Sequence, residues 1–392
     1  MSLLDDLEPE QDKPLGHVEV SSTGARIETG PLAEPIGDDW TPILESFGLD
    51  AGAFEVVDDT VRMSKWQQSK RLESGERDIV WLYSYRAQFR KRAPEQLLAD
   101  VDLEASARAV RLRRPHKAVK GHGPEVAYVH LQGDEQSGKA EGGGLEGLLT
   151  RETDVVERSV ATIKALRKAG ANITSIVDLS AGDRIENIFG HYPSQSRTTS
   201  TLRKQIGFAV DMDLARTEAF AAFGLPIVKA YTPSNHGELR QVIGQSPYTS
   251  ASDNLDLTIA EYVKRVIDRT PLAGQVEWHI PHDEFITTLD IAGLPCGLTH
   301  GHKVTGKVTD WVRKQRDDIH FHDGKRLVLM FMGHLHHAHI EDCAGTTLIQ
   351  TPTLDGGSPY FQAATGTRST HGALGMLVGS GLRAGFDKVT WL

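Results

Sequence analysis

Five short clusters of metal-ligand residues each follow a segment with the composition of a β-strand. A lone histidine is more often a core or surface residue than a ligand, but five such clusters in succession favour a common site. Ligands at the trailing ends of strands meet at one edge of an open α/β sheet. The clusters are Asp134-Glu135-Gln136, Gly182-Asp183, Asn235-His236, His300-Gly301-His302 and Gly333-His334-Leu335-His336.

Strand and helix patterns alternate around these clusters. Apolar residues at helical spacing predict helices over 152–169, 208–223 and 255–268, and a glycine follows each of the first two. Short apolar runs predict strands over 126–131, 173–179, 226–231, 276–280, 285–291 and 326–332, with closing strands over 346–350 and 373–378. The alternation predicts an α/β fold.

The residue types within the clusters are those that hold divalent cations. Asp183 is suited to bridge two ions, which lie roughly 3.5 to 4 Å apart in known two-metal sites. Imidazole mixed with carboxylate and amide oxygen favours manganese, iron or zinc, and no cluster contains cysteine. The sequence therefore predicts two divalent metal ions, with manganese as the expected ion and magnesium, iron or zinc as alternatives. The last cluster has a second interpretation as a histidine-rich surface turn, because His337 and His339 follow it.

In their order, these residues resemble the motifs of the calcineurin-like metallophosphoesterase superfamily. The superfamily's pattern is Asp-x-His, Gly-Asp, Gly-Asn-His-Asp/Glu, a further histidine and Gly-His-x-His, and the resemblance covers roughly residues 124 to 340. It implies an α/β fold with a four-layer sandwich of two mixed β-sheets flanked by helices. It also implies hydrolysis of phosphate esters with two metal ions.

The resemblance implies a role for each matching residue. The implied ligands are Asp134, Gln136 and His336 for the first ion, Asp183 as the bridge, and Asn235, His300 and His334 for the second ion. His236 is implied to be the catalytic acid that protonates the leaving oxygen, a role that suits an imidazole with a pKa near neutrality.

Two motifs depart from the superfamily's pattern. Gln136 replaces an imidazole by a neutral amide oxygen, which favours harder ions such as manganese or magnesium and predicts weaker binding of the first ion. Ser234 stands where a glycine precedes the asparagine, and Glu238 comes one position later than the usual acidic residue. The orienting role of that acidic residue is therefore not carried over to Glu238.

The motifs indicate the chemistry but not the substrate, because phosphoesterases with many different substrates share them. Lys139, in a glycine-rich loop, and His302 are the candidate substrate-binding residues. The chain looks most similar to phage-encoded members related to SbcD-type DNA repair exonucleases. This resemblance implies a DNA exonuclease or endonuclease in phage DNA replication, recombination or repair. The alternatives are a phosphomonoesterase or small-molecule (nucleotide) phosphodiesterase, and a non-catalytic metal-binding scaffold.

Composition divides the chain into three parts. Residues 1–38 are acidic and poor in large apolar side chains, which predicts a disordered tail. Residues 39–122 are interpreted as a small accessory module with a basic linker, and 123–392 as the metallophosphoesterase catalytic domain. In the module, Trp81, Tyr83 and Tyr85 alternate ahead of a basic stretch. This pattern is typical of either a strand that stacks nucleic-acid bases or an ordinary apolar strand face. The basic run over 108–120 either guides a polyanion or is a solvated connector.

The charge balance limits the partners. With 43 basic and 53 acidic residues the net charge is -10, so contact with DNA, the expected partner, depends on local basic patches. The two cysteines indicate a reducing compartment. We found no leader pattern and no apolar run long enough to cross a membrane, which predicts a cytoplasmic protein without membrane contact, in the host cytoplasm if it is phage-encoded. Related repair nucleases act as homodimers with an ATPase partner, an arrangement that the resemblance leaves open here.

Overall fold

The computed structural model describes residues 16–21, 24–37, 39–57, 60–71, 77–91, 121–188, 198, 200–239, 250–357, 362, 366 and 370–392. The chain divides into two compact units, Met1–Ala99 and Asp100–Leu392. Among the described residues, no helix has the length and apolar character needed to cross a bilayer. Cys296 and Cys343 are both buried, and both are free thiols.

The first unit is an antiparallel sheet covered by one short helix. Its strands are β1 (Gly16–Val20), β2 (Gly24–Thr29), β3 (Phe54–Val56), β4 (Arg62–Arg71) and β5 (Arg77–Lys91), and its helix is α1 (Thr41–Ser46). Strand β5 is central, because β2, β3 and β4 all pair with it. Trp40, just before α1, packs edge-on against Tyr85 and Phe89, with ring centroids 6.0 and 5.3 Å apart.

The predicted disordered tail is wrong for residues 16–21 and 24–37. Strand β1 pairs with β2, and β2 pairs with β5. Ala25 and Ile27 face the core beside Trp40, and Ile27 is fully buried. The segment orders with few apolar residues of its own because they join a shared core with Trp40 and with Tyr85, Ala87 and Phe89 of β5. Residues 1–15 of that predicted tail lie outside the described residues.

The second unit carries the elements that the metal-ligand clusters follow. Its described strands are β6 (His122–Gln132), β7 (Ala171–Ser180), β8 (Ile227–Tyr231), β9 (Val276–His279), β10 (Thr287–Ile291), β11 (Leu294–Thr299), β12 (Leu329–Met332), β13 (His339–Asp342), β14 (Thr347–Gln350), β15 (Leu374–Val378) and β16 (Phe386–Trp391). Its described helices are α2 (Gly144–Lys168), α3 (Leu202–Ala221), α4 (Leu255–Ile267) and α5 (Val308–Asp323). Each strand and helix predicted for this unit is confirmed, with shifted ends.

A six-stranded sheet has the order β16-β15-β6-β7-β8-β9. Strands β6 to β9 run parallel to one another, while β15 and β16 are antiparallel additions. Strand β6 is buried from Val126 to its end at Gln132, as expected for a central parallel strand that is covered on both faces. The parallel arrangement places the ends of β6, β7 and β8 at one edge.

A five-stranded sheet has the order β10-β11-β12-β14-β13, with β11, β12 and β14 parallel. It shares a buried apolar core with the six-stranded sheet, to which Leu131, Leu179, Leu298 and Phe331 contribute. Helices α2, α3 and α4 pack against the six-stranded sheet through a separate core, and α5 packs on the five-stranded sheet through Trp311 and its neighbours. The predicted α/β class with mixed sheets is confirmed.

Candidate metal centre

The predicted ligands lie at the carboxyl ends of strands from both sheets. Asp134, Asp183 and Asn235 follow β6, β7 and β8, whereas His300 and His334 follow β11 and β12. Backbone hydrogen bonds join these loops: Asp134 N–H donates to the carbonyl of Gly182 at 2.9 Å, and His334 N–H donates to Asp134 Oδ2 at 2.9 Å. The two sheets therefore bring all five clusters to one place.

The backbone of this region is strained where the ligands sit. Five of the predicted ligands adopt positive φ angles, a region that non-glycine residues seldom occupy. The angles are 55° at Asp134, 46° at Gln136, 55° at Asp183, 72° at His334 and 59° at His336. Such conformations cost on the order of 1–3 kcal/mol each and concentrate at functional sites. The recurrence of this strain in three separate loops supports a functional arrangement.

Two glycines allow the loops to approach one another. A Cβ at Gly182, where φ is +88°, would lie 2.9 Å from His300 Nδ1 and 2.7 Å from Ser234 Cβ. A Cβ at Gly333 would lie 2.8 Å from the carbonyl oxygen of Ala181. Larger side chains would therefore push apart the loops that carry the predicted ligands.

The second predicted metal position has a compact donor set. One ligand atom from each of Asp183, His300 and His334 lies within 4.8 Å of the other two. His300 Nε2 is 2.7 Å from Asn235 Oδ1, 3.2 Å from Asp183 Oδ2 and 3.2 Å from His334 Nδ1. His300 Nδ1 is 2.7 Å from the carbonyl of Ala181 and donates to it, which directs Nε2 at these acceptor atoms. Oxygen and nitrogen lone pairs converging in this way fit a divalent cation.

The electrostatics of this donor set are mixed. Burial lowers the pKa of His300, but the carboxylate of Asp183 outweighs burial and raises that pKa to about 9. A metal ion at this position therefore competes with a proton for the imidazole. Burial, reinforced by His300, lowers the pKa of His334 to about 3, which leaves that imidazole neutral and ready to bind a metal. Against the effect of burial, His236 and His300 hold the pKa of Asp183 well below its usual range.

His236 lies beside this donor set. Its backbone N–H donates to Asp183 Oδ1 at 3.0 Å, and its Nε2 is 3.8 Å from Asp183 Oδ2. Its Nδ1 is 3.1 Å from the carbonyl of Glu186 and 3.4 Å from Glu186 Oε2. Despite burial, Asp183 and Glu186 raise the pKa of His236. Sequence reasoning missed Glu186, which fixes the ring; its position three residues after Asp183 was the available signal.

The first predicted metal position has a different character. His336 Nε2 is 3.2 Å from Asp134 Oδ1, so these two predicted ligands are in contact. Gln136 Oε1 instead accepts a hydrogen bond from Lys139 Nζ at 2.9 Å. Lys139 also pairs with Asp355, whose Oδ2 is 3.3 Å from His336 Nδ1. Lys139, a candidate for substrate binding, is thus held by protein groups.

Asp355 is a member of this cluster that sequence reasoning missed. Its side chain is fully buried, and burial notwithstanding, His336 and Lys139 hold its pKa below the usual range. Asp134 and Asp355 together raise the pKa of His336 to about 10, against the effect of burial. Asp355 follows β14, between the two predicted closing strands, where no motif distinguished it.

His302, the other candidate for substrate binding, lies next to the second donor set. Its ring centroid is 5.4 Å from that of His300, and its Nε2 is 3.3 Å from Glu238 Oε1. Burial lowers the pKa of His302. Glu238 also accepts from Lys303 Nζ at 2.7 Å. Glu238 therefore contacts His302 and Lys303, while Glu186 contacts His236.

A buried network of charged side chains lies directly behind two of the metal-ligand loops. Arg184 and Glu135, sequence neighbours of the predicted ligands, belong to it. Arg184 Nη1 is 2.7 Å from Asp213 Oδ2, and Arg216 Nη1 is 2.5 Å from Glu152 Oε1. The described members are Arg184, Arg216, Lys229, Glu135, Glu152, Asp178 and Asp213, all nearly inaccessible to solvent. The sequence analysis did not anticipate this network.

The aromatic strand of the first unit does not present three free rings. Tyr85 is buried in the core and Tyr83 is half-buried, whereas Trp81 is 45% exposed. Lys65 Nζ lies 4.3 Å from the centroid of the Trp81 ring. Two of the following arginines are paired, Arg86 with Glu28 and Arg90 with Glu55. The basic run over 108–120 lies outside the described residues.

Several solved structures are similar to part of this chain. An archaeal phosphodiesterase has 10% identity, covering 68% of this chain and 99% of its own, with a TM-score of 0.31. Vps29 from Entamoeba histolytica, complexed with zinc, has 11% identity, 68% and 98% coverage and a TM-score of 0.30. A predicted phosphoesterase from Streptococcus pneumoniae has 11% identity, 68% and 89% coverage and a TM-score of 0.26. No family model matches the chain, and no match was found among curated proteins.

Proposed function

We propose that this chain is a metal-dependent phosphoesterase of the calcineurin-like kind that hydrolyses phosphodiester bonds. The observation that carries the proposal is the convergence of Asp183, Asn235, His300 and His334 on one point, with His236 beside it. Five such side chains do not meet at strand ends for packing alone, since their polar atoms are costly to bury without partners.

A divalent cation in this donor set would polarise a phosphoryl oxygen and lower the pKa of bound water. Asn235, His300 and His334 would hold the cation together with Asp183. The donor types suit manganese, iron or zinc, and manganese is the ion that we propose to test first.

His236 is the proposed general acid. Its Nδ1 side is held by Glu186, and its Nε2 points toward Asp183 at 3.8 Å. The two carboxylates favour the protonated ring, which is the form that donates a proton to a leaving oxygen. In this role Glu186 orients the ring and does not itself touch the substrate.

DNA as the substrate is the finer part of the proposal. In the first unit, Trp66 and Trp81 are 37% and 45% exposed, and the ammonium of Lys65 lies over the Trp81 ring. Aromatic rings stack bases and ammonium groups neutralise phosphates in proteins that bind single strands. Arg86 and Arg90 pair with glutamates, so these two arginines do not support DNA binding. A homodimer and an ATPase partner stay predictions from the resemblance.

A side-by-side assay tests the proposal. The full chain, loaded in turn with manganese, magnesium and zinc, is offered linear DNA, a chromogenic phosphodiester and a chromogenic phosphomonoester. We expect manganese-stimulated cleavage of DNA and of the phosphodiester. Turnover of the chromogenic esters with intact DNA would overturn the DNA assignment alone. Failure to hydrolyse any ester, with the metal bound, would overturn the enzymatic proposal and favour a scaffold.

A further inference from the structure

The first predicted metal position contains a protein cation. Lys139 Nζ donates to Gln136 Oε1 at 2.9 Å and pairs with Asp355. Gln136 stands where the superfamily pattern has a histidine, and its amide oxygen is the donor it offers to a metal ion. An ammonium has three donors and no lone pair, so it takes up one lone pair of that oxygen and cannot act as a ligand itself.

We propose that Lys139 takes the place of the first metal ion, so that this centre holds one divalent cation. The cation lies at Asp183, Asn235, His300 and His334, and the ammonium supplies a fixed positive charge on the side of Asp134 and His336. The inference deepens the proposed function and rests on it for the position of the bound ion. It replaces the prediction of two ions that came from the sequence.

The ammonium is fixed by its surroundings. The Lys139 side chain is only 10% exposed, and the Asp355 carboxylate that it meets is fully buried. Asp355 is itself positioned, because its Oδ1 accepts from Gly357 N–H at 2.7 Å. Moving the ammonium aside would leave this carboxylate buried without its lysine partner, which is costly. A divalent ion cannot displace the lysine cheaply.

Like charges also repel across this short distance. A metal ion bound through Gln136 Oε1 would lie within a few ångströms of an ammonium 2.9 Å from that same oxygen. Water screens the repulsion poorly at a buried site. Among the described residues, no lysine or arginine forms an ion pair with Asp183 in the second donor set, and Lys303, beside His302, pairs with Glu238 instead.

The number of bound ions tests this inference directly. The full chain is dialysed to equilibrium against manganese, and the metal is counted per chain by elemental analysis. In parallel, electron paramagnetic resonance distinguishes an isolated manganese ion from an exchange-coupled pair. We expect one ion per wild-type chain with the spectrum of isolated manganese. We expect two ions and a coupled spectrum in the double variant Gln136→His/Lys139→Met.

Matched variants separate the lysine from its surroundings. Lys303→Met removes another ion-paired lysine near the centre and is expected to leave one ion bound. If Gln136→His/Lys139→Met fails to fold, adding Asp355→Asn removes the unpaired carboxylate, and this triple variant is expected to bind two ions. Circular dichroism melting verifies the fold of each variant before the metal is counted.

The outcomes are distinct. Two ions per wild-type chain would overturn the inference and leave the proposed function standing. One ion in both the wild type and the folded variants would show that Lys139 does not exclude the first ion, and would also overturn it. A wild-type chain that binds no manganese, magnesium or zinc would contradict the proposed function itself.

Discussion

Replacing His236 by alanine is expected to lower the rate of phosphodiester hydrolysis roughly 100- to 10,000-fold, the usual contribution of a positioned general acid or base. The ring lies beside the Asp183 donor set and is held by Glu186 on its other side. The measurement is the turnover of a chromogenic phosphodiester at saturating manganese. The loss should appear in kcat, because the proton is delivered in the transition state.

The matching control is His339→Ala. His339 is an exposed histidine on β13 that pairs with nearby Glu341, so its removal should leave hydrolysis unchanged. The His236 variant should remain folded and should bind as much metal as the wild type. A folded, metal-loaded His236→Ala protein with wild-type turnover would remove His236 from the mechanism.

The largest effect on stability is expected from Arg216→Met. Arg216 Nε donates to Asp178 at 3.1 Å, and its Nη1 reaches Glu152 at 2.5 Å, all with almost no solvent access. Removing one partner from a buried ion pair leaves an uncompensated charge and costs about 3–5 kcal/mol. We expect a loss of that size in the free energy of unfolding, measured by urea denaturation.

Arg158→Met is the control for this prediction. Arg158 pairs with Asp154 on the exposed face of α2, with side chains more than half exposed, and such pairs contribute about 0.2–1 kcal/mol. Equal losses in the two variants would contradict the expected contribution of the buried network to stability. Within this network the pKa of Glu152 is raised, because the effect of burial outweighs the opposing effect of the Arg216 charge.

The sequence predicted the second unit well because its strands and helices differ clearly in periodicity. Strands such as β7 and β8 are short apolar runs that end just before ligand residues, so pattern and motif reinforced each other. Helix α5 was missed: its face toward the sheet is carried mainly by Trp311 and Val312, and its remaining residues are largely charged. Strands β1 and β2 were missed because their core contacts come from β5 and Trp40.

Contacts between distant segments account for what the sequence could not predict at the site. The convergence of the clusters followed from their order, but the partner of Lys139 is Asp355, far along the chain. Pairing across that separation leaves no local pattern. Likewise Glu186 looked like one acidic residue among many until the fold placed it against His236. The sequence showed that Gln136 replaces the histidine of the superfamily's pattern. Only the structure shows that Lys139 donates a hydrogen bond to the Gln136 amide oxygen.

Anomalous diffraction from crystals grown with manganese would locate the bound ion. We expect a strong peak within bonding distance of Asp183, Asn235, His300 and His334. A chain that takes up manganese only elsewhere, with no peak at these four side chains, would contradict the proposed centre.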